Sequence, residues 1–350
     1  MTQAGAFAPY PGSPAPTNIC NPACRVIAWE VTRRCNLKCL HCRASAKNIP
    51  YADELSTEEA LELISSFKEL GSPLIIFTGG EPLLREDIFE LIAAVRAENL
   101  RAALSINGTG LSPEVIARIR HADISRCSLS LDGANADSHD GFRGVDGAFE
   151  QTIKGARTLR NAGIPLQINT TITDKNIEEL PNILALSKLL GAVAWHVFLL
   201  VPVGRGALLK GIDTMTYERT LDWIYEQSLA SRLEIKPTCA PQYYRLLAEK
   251  NDTAQMSRGC LGGVGFCFIS HTGTVQPCGY LELDCGNTRK QRLKDIWNNC
   301  EVFLRLRDQS QYSGKCGACT YHQHCNGCRA RALKAYDDFL GDDPICGFKG

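Results

Sequence analysis

The chain has 350 residues, of which 44% are hydrophobic, and its 38 Lys and Arg balance 38 Asp and Glu. That length can bury one large core plus a small appendage. The neutral balance gives no electrostatic reason to expect a nucleic-acid or acidic-membrane partner. No run approaches the length of apolar sequence that a membrane-spanning helix needs, so we expect no membrane segment.

Residues 1–24 are predicted to be a disordered leader, because their start is rich in Pro, Ala and Gly. They lack the basic start and apolar stretch of a signal peptide. The chain has 17 cysteines, an odd number. Clustered cysteines without a signal peptide indicate metal binding rather than disulfides. We therefore expect a cytoplasmic metalloprotein.

Residues 25–232 alternate between short apolar segments and amphipathic ones. The apolar segments are typical of parallel strands that are buried on both faces. The predicted strands are Val26–Thr32, Leu74–Thr78, Ala102–Asn107, Cys127–Leu131, Pro165–Ile172 and Val193–Leu199. The predicted helices are Thr57–Leu70, Asp87–Asn99, Pro113–His121, Gly147–Ala162, Ile177–Leu190 and Thr216–Ser231. Six such units predict an α/β fold, an open parallel sheet or partial (β/α)6 barrel, with its chemistry at the C-terminal ends of the strands.

The pattern changes after residue 232. Residues 233–258 are interpreted as a linker. Residues 259–350 hold most of the other cysteines and many glycines among short elements. We interpret them as a small second domain that metal organises more than a large core does.

Three cysteines, Cys35, Cys39 and Cys42, follow the first predicted strand. Thiolates are the usual ligands of [4Fe–4S] clusters, and three of them leave one iron open, as a catalytic site requires. A zinc site with His41 as fourth ligand and a group of buried thiols are the alternatives.

Polar or glycine-rich segments follow the next strands. Gly79 and Gly80 would allow close approach of a ligand, and Glu81, before Pro82, could accept a hydrogen bond from an ammonium. Asn107 could belong to a simple turn, Asp132 could cap a helix, and Arg143 could be a solvated charge. The remaining candidates are Ser130, near the end of the fourth predicted strand, and Asn169, a polar residue within the fifth that we expect to face the cavity.

The cysteine loop and the Gly-Gly-Glu-Pro segment together resemble the radical S-adenosylmethionine (SAM) superfamily. The resemblance implies that Cys35, Cys39 and Cys42 hold a [4Fe–4S] cluster whose open iron binds SAM. It also implies that Gly79–Pro82 bind the SAM amino group. Ser130 and Arg143 would hold its carboxylate and ribose region. The further candidate SAM contacts are His41, Asn107, Asp132 and Asn169.

The C-terminal cysteines resemble the SPASM extension of this superfamily, which carries auxiliary iron–sulfur clusters. The implied ligands of one cluster are Cys316, Cys319, Cys325 and Cys346. The implied ligands of a possible second cluster are Cys260, Cys267, Cys278 and Cys328. The spacing from Cys325 to Cys328 is one residue shorter than the family pattern, so this second set stays open, with Cys239 and Cys285 as alternatives. A zinc ribbon that uses His322 or His324 is the other interpretation.

Segments 193–206, 237–245, 259–273 and 327–332 resemble the haem-biosynthesis branch, in particular the haem b synthase family of the sirohaem-dependent pathway. The implied substrate is iron-coproporphyrin III, an iron porphyrin. Oxidative decarboxylation of two propionates would give the vinyls of protohaem, with a low-potential electron donor. Arg205 and Arg245 are candidate propionate partners, and His196 is a candidate cavity residue. The alternatives are propionate removal in haem d1 biosynthesis, SPASM-type peptide modification and a non-enzymatic metal scaffold.

Overall fold

A computed structural model describes residues 22–252 and 258–348. The predicted leader, residues 1–24, lies almost wholly outside the described residues. Within the described ranges, no helix is both long and apolar enough to cross a membrane.

One nine-stranded sheet organises the chain, in the order β7-β6-β5-β4-β3-β2-β1-β8-β9. Strands β1 to β8 pair in parallel and β9 is antiparallel to β8. The strands are β1 Val26–Thr32, β2 Leu74–Gly79, β3 Arg101–Ile106, β4 Arg126–Ser130, β5 Leu166–Ile172, β6 Ala194–Leu199, β7 Glu234–Thr238, β8 Phe266–Ile269 and β9 Val275–Gln276. The six predicted strands correspond to β1–β6, and the predicted α/β class with a parallel sheet is confirmed.

Helices connect the strands. The α-helices are α1 Thr57–Ser66, α2 Ile88–Ala97, α3 Pro113–His121, α4 Ala136–Arg143, α5 Ala148–Asn161, α6 Leu180–Leu189, α7 Thr214–Leu229, α8 Gln242–Glu249, α9 Leu293–Asn299, α10 Glu301–Arg307, α11 Gly314–Ala318 and α12 Arg329–Tyr336. Ser56 and Glu59 form a capping box at the start of α1. Helix α4 was not predicted, because its sequence ADSHDGFR has no apolar repeat at helical spacing.

The strands turn alternate side chains into the core. In β1, Ile27, Trp29 and Val31 are fully buried, and in β2 Ile75 and Phe77 are fully buried. Because strand side chains alternate between faces, the intervening residues face the other side of the sheet. That second face is more polar and carries the strand-end residues described below.

The segment 233–258, interpreted as a linker, contains regular structure. β7 pairs with β6 and forms the edge of the sheet, and α8 follows it. The strand was missed because Glu234 and Lys236 alternate with its apolar residues and Pro237 lies within it. Proline is tolerated at a sheet edge, where its missing N–H need not pair. The C-terminal region also contributes β8 to the same sheet, next to β1.

Candidate active site and cysteine clusters

The cysteine loop leaves the C-terminal end of β1. Cys35, Cys39 and Cys42 lie in one small group with Leu37 and Ala46. The amides of Lys38 and Leu40 donate to the carbonyls of Arg143 and Phe142, at 3.1 and 2.9 Å. Helix α4 therefore fixes the loop that brings the three thiols together.

Each of these sulfur atoms accepts a hydrogen bond. The Leu37 amide donates to Cys35 Sγ (3.4 Å), the Ala46 amide to Cys42 Sγ (3.5 Å) and Arg143 Nη1 to Cys39 Sγ (3.5 Å). Such donors stabilise thiolate ligands and tune an iron–sulfur cluster. Burial raises the pKa of Cys35 to about 12, so a bound cation is needed to hold it as thiolate. The donor set therefore fits a cluster at this loop.

The two glycines after β2 lie against the backbone at the start of the cysteine loop. A Cβ at Gly79 would overlap the Thr32 carbonyl oxygen, and one at Gly80 would overlap that of Arg34. Gly79 also has φ +153°, which L side chains rarely adopt. The pair thus packs the second strand end against the cysteine loop.

Glu81, which follows β2, belongs to a hydrogen-bond network that joins the ends of β1, β2 and β3. Its carboxylate accepts from the amides of Asn107 (2.7 Å) and Leu83 (3.1 Å), and it is 2% exposed. Burial raises the pKa of Glu81 to about 7. Asn107 Nδ2 in turn donates to Asn36 Oδ1 in the cysteine loop at 2.8 Å. The predicted candidates Glu81 and Asn107 therefore lie together beside the loop.

Asp132 and Arg143 form a buried ion pair beside the same loop, with 2.5 Å between Oδ2 and Nη2. Asp132 does not cap the next helix: its Oδ1 accepts from the Thr171 amide, and Asn135 caps α4. His41 stacks on a neighbouring phenylalanine ring, and its Nε2 lies 3.9 Å from Asp132 Oδ2. Arg143 Nε and His41 Nδ1 are buried without a hydrogen-bond partner. Unpaired buried polar atoms fit a site completed by a polar ligand.

Ser130, the last residue of β4, pairs with Asn169 in the middle of β5, and both are half-buried. Asn169 Oδ1 accepts from Gln167 Nε2 at 2.7 Å. His196 of β6 lies 3.1 Å from the same amide, and its Nε2 lies 3.6 Å from Glu234 Oε1. The polar face of the sheet thus carries a connected network that runs from Asn169 toward the N-terminal ends of β5 and β7, away from the end that bears the cysteine loop.

Both predicted propionate partners are held by residues of the protein itself, although Arg205 Nη2 and Arg245 Nε have no hydrogen-bond partner among the described residues. Arg205 donates from Nε to the Cys39 carbonyl and from Nη1 to the Ala46 carbonyl, both at 2.8 Å. Arg245 is paired with Glu218 at 2.5 Å and with Glu249 at 3.0 Å. Arg205 therefore braces the cysteine loop, and Arg245 links α7 and α8. Sequence position alone gave no sign of these internal partners.

Three of the four predicted outer cysteines lie together around Gly327. The Gly327 amide donates to Cys325 Sγ, a Cβ on Gly327 would lie 3.0 Å from Cys316 Sγ, and Cys346 interacts electrostatically with both thiols. Amides and a guanidinium donate to the sulfurs of Cys319, Cys325 and Cys316, each at 3.4 Å. The predicted set of Cys316, Cys319, Cys325 and Cys346 is thus compatible with one iron–sulfur cluster.

A second, inner set of cysteines includes Cys239. The Cys239 thiol interacts electrostatically with Cys328, Cys278 and Cys260, and it is half-buried in the same apolar group as Cys278 and Cys328. Arg331 Nη1 donates to the Cys239 carbonyl at 2.7 Å. The Cys328 amide donates to Asp343 Oδ2, also at 2.7 Å. Arg331 and Asp343 are themselves paired at 2.8 Å, so one buried ion pair holds both segments.

Cys267 is not part of this inner set, which corrects the predicted ligand assignment. It lies on β8 and is fully buried, and Cys24 Sγ is 4.0 Å from its own Sγ. Cys285 is its other electrostatic neighbour. The physical reason is the two-residue repeat of a strand, which turns Cys267 into the hydrophobic core and its neighbour Phe268 toward Arg43.

The described parts of the chain contain no group of three or more His, Cys, Asp or Glu side chains arranged around a single metal ion. The zinc alternatives for both cysteine fields therefore gain no support from the geometry. Thiolates of a four-iron cluster bind different iron atoms, so they need not converge on one point.

Comparison with known families and structures agrees with this architecture. The radical SAM superfamily model matches residues 29–186, and an iron–sulfur cluster-binding (SPASM) domain model matches residues 260–329. SuiB of Streptococcus suis, solved with S-adenosylmethionine, superposes with a TM-score of 0.74 at 18% identity, covering 93% of this chain and 78% of that one. The anSMEcpe structure with bound AdoMet gives 0.71 at 20% identity, covering 91% and 92%. The protein is a radical SAM enzyme with a SPASM domain, and its cofactors are SAM, a [4Fe–4S] cluster and auxiliary iron–sulfur clusters.

Similar sequences narrow the family further. A protein of Nitratidesulfovibrio vulgaris named "AdoMet-dependent heme synthase" is 50% identical over 94% of each chain. One of the same name from Methanosarcina barkeri is 47% identical over 92% of this chain and 96% of its own. The "Pre-heme d1 synthase" of Dinoroseobacter shibae is 33% identical over 92% and 85%. The chain belongs to the radical SAM haem synthase family, so the non-enzymatic scaffold is wrong.

Proposed function

We propose that this enzyme converts two propionates of iron-coproporphyrin III into vinyl groups and so produces protohaem. The observation that carries the proposal is the 50% identity, over 94% of each chain, to a relative named for haem synthesis. The buried cysteine loop beside a polar sheet face is compatible with radical chemistry on a carboxylated substrate.

Each decarboxylation removes one hydrogen atom, one CO2 and one electron from the propionate side chain. The bound cluster and SAM supply a 5′-deoxyadenosyl radical, which takes a hydrogen atom from the propionate carbon next to the macrocycle. The bond to the carboxylate carbon then breaks, CO2 leaves, a carbon–carbon double bond forms and one electron is released. We propose an auxiliary cluster as the acceptor of that electron, and a low-potential donor as the source of the electron that cleaves SAM.

The SAM site in this proposal uses the residues gathered beside the cysteine loop. Glu81 receives the SAM ammonium, and Arg143, whose Nε is unpaired, receives its carboxylate. His41 and Asn107 border the same space. Ser130 of β4 and Asn169 of β5 border this space on the sheet. Asp132 keeps Arg143 in place through their ion pair.

We propose Cys239, Cys260, Cys278 and Cys328 as ligands of the inner auxiliary cluster. The test compares Cys239→Ala with its matched control Cys267→Ala. Because only Cys239 lies with the inner set, we expect Cys239→Ala to lose iron and sulfide from the purified enzyme and to change its Mössbauer spectrum. Cys267→Ala should keep the wild-type iron content. The reverse pattern would contradict the assignment.

Two other reactions remain as alternatives within the same class. The 33% identical "Pre-heme d1 synthase" favours removal of whole propionates, and a 30% identical "Mycofactocin maturase MftC" favours peptide modification. Both relatives are less similar to this chain than the relatives named heme synthase, which are 47–50% identical to it.

An anaerobic assay separates these reactions. Reconstituted enzyme, SAM and a low-potential reductant are incubated with iron-coproporphyrin III, and the porphyrins are analysed by mass spectrometry. We expect two successive mass losses, each of one CO2 together with two hydrogen atoms. Loss of whole side chains would favour the haem d1-type reaction, and unchanged porphyrin with continued 5′-deoxyadenosine formation would contradict the porphyrin substrate.

A further inference from the structure

A second polar site lies between the cysteine loop and the inner cysteine set. Arg43 directly follows Cys42, and its guanidinium lies over the ring of Phe268 in β8, 4.4 Å from the ring centroid. Tyr280 directly follows Gly279, where an added Cβ would lie 3.4 Å from Arg43 Cδ and 3.1 Å from the Phe268 ring. Arg43 and Tyr280 are therefore neighbours in the space between the two sets of cysteines.

Glu30 holds Arg43 in this position. It is fully buried in β1 and forms an ion pair with Arg43 Nη2. Arg33 Nη2 and His271 Nδ1 also approach its Oε1, at 3.1 and 2.8 Å. Burial raises the pKa of Glu30, but Arg43 and these neighbours outweigh it and lower the pKa to about 2. Glu30 is therefore ionised at any physiological pH and fixes one end of the guanidinium.

Arg43 keeps donors that Glu30 does not use. Its Nε and Nη1 donate no hydrogen bond to any residue in the described part of the chain, and its side chain is 15% exposed. The Tyr280 side chain is half-buried, and its phenol is a hydrogen-bond donor. A fixed guanidinium beside a neutral hydroxyl is a donor set that suits a carboxylate.

We propose that Arg43 and Tyr280 bind a propionate carboxylate of the tetrapyrrole, and specifically one that is retained in the product. This inference rests on the proposed function. A cation that bound a reacting carboxylate would stabilise the starting material more than the transition state in which CO2 departs. A retained carboxylate keeps the same contact during both decarboxylations. Arg43 and Tyr280 thus fix the macrocycle between the cysteine loop and the inner set.

Equilibrium dialysis of the reconstituted holoenzyme tests this site without turnover. The ligands are iron-coproporphyrin III, protohaem and the tetramethyl ester of iron-coproporphyrin III, which has no free carboxylate. The variants are Arg43→Gln and Tyr280→Phe. Arg289→Gln, which removes an exposed ion pair with Glu59, is the control. Iron content and SAM binding are measured for each variant, and Tyr280→Phe keeps the test valid where Arg43→Gln fails to fold.

We expect Arg43→Gln to raise the Kd of iron-coproporphyrin III and of protohaem alike, by about tenfold or more, because a charge-assisted hydrogen bond is lost. Tyr280→Phe should raise both by about threefold to tenfold, the usual effect of a neutral hydrogen bond. The tetramethyl ester should bind wild type and Arg43→Gln equally, and Arg289→Gln should match wild type.

Two results would overturn the inference while leaving the proposed function intact. The first is wild-type Kd values in both variants of an enzyme that still makes protohaem. The second is weaker binding of the substrate with unchanged binding of protohaem, which would assign a reacting carboxylate to this site. Failure of wild-type enzyme to bind or convert iron-coproporphyrin III would instead overturn the proposed function itself.

Discussion

The parallel sheet and the C-terminal segment from Leu306 to Cys346 are held together in different ways. The sheet buries a continuous apolar core, including Trp29, Phe77 and Trp195 at full burial. The C-terminal segment packs a much smaller apolar group and buries the charged residues Arg329, Arg331 and Asp343. Hydrophobic burial stabilises the first region by itself, whereas the second depends on ion pairs and on its cysteine ligands.

The cysteines of the two regions differ in the same way. The cysteine loop of the sheet region is braced by backbone contacts and by Arg205, so it is shaped before any cluster binds. The outer and inner cysteine sets instead join segments that are distant in the chain, from Cys239 to Cys346. We therefore expect the cysteine loop to keep its structure without a cluster, whereas the C-terminal segments need a cluster to hold them together.

The largest expected effect comes from Cys35→Ala. The variant removes one of the three proposed ligands of the SAM cluster, so we expect no detectable 5′-deoxyadenosine under anaerobic reducing conditions. Circular dichroism and the melting temperature should remain close to those of wild type, because the apolar core of the sheet is untouched. Cys127→Ala, a buried cysteine of β4 outside the cysteine sets, is the control and should retain activity. Retained deoxyadenosine formation in Cys35→Ala would contradict the site.

Removal of iron should affect the two regions unequally. After oxidation and chelation, we expect amides in residues 316–346 to exchange roughly 100-fold faster or more, since the metal no longer links their segments. Amides of β2 to β5 should keep their protection. Hydrogen exchange read by mass spectrometry measures both regions in one sample. Equal loss of protection in the sheet would show that the contrast is wrong.

Asp343→Asn should destabilise the C-terminal segment. Asp343 pairs with Arg331 and accepts from the Cys328 amide and from Gln242. Breaking a buried ion pair leaves an uncompensated charge and costs about 3–5 kcal/mol. We expect lower iron content and a lower unfolding free energy in urea.

The matched control for that variant is Asp337→Asn. Asp337 is exposed and has φ +55°, a conformation that asparagine tolerates, so its stability should not change. Similar destabilisation by both substitutions would contradict the role of the buried ion pair.

A smaller effect is expected for Glu81→Gln. Loss of the carboxylate should weaken SAM binding by about tenfold, because an ion pair with the SAM ammonium is lost. The pKa of about 7 in the SAM-free protein exceeds the usual value of 4.5. The folded protein therefore binds this proton more tightly than the unfolded chain does. The resulting contribution to the free energy of unfolding is complete below pH 4.5 and is lost as the pH rises through 7. SAM binding should strengthen over the same rise.

Calorimetric titration of SAM at pH 6 and pH 8 measures this effect. Wild type should bind more tightly at pH 8, and Glu81→Gln should show little change between the two. A pH dependence that is the same in both proteins would assign the titration to another group.

The sequence predicted the sheet well and the cysteine-rich region less completely. β1 to β6 follow from apolar runs, and the Cys35, Cys39 and Cys42 loop follows from local spacing. β7 was missed because an edge strand with charged residues and Pro237 has a weak signal. The place of Cys239 beside Cys260 and Cys278 depends on contacts between distant segments, which spacing does not encode. The internal partners of Arg205 and Arg245 could not be predicted for the same reason.

The most direct test follows one hydrogen atom. The substrate is iron-coproporphyrin III with deuterium on the propionate carbons next to the macrocycle. It is incubated with enzyme, SAM and reductant, and the mass of the 5′-deoxyadenosine formed is measured by mass spectrometry. We expect deoxyadenosine that gains one deuterium, together with vinyl-bearing porphyrin. Unlabelled deoxyadenosine formed beside vinyl product would contradict the proposed hydrogen abstraction, and unlabelled deoxyadenosine without porphyrin change would contradict the substrate.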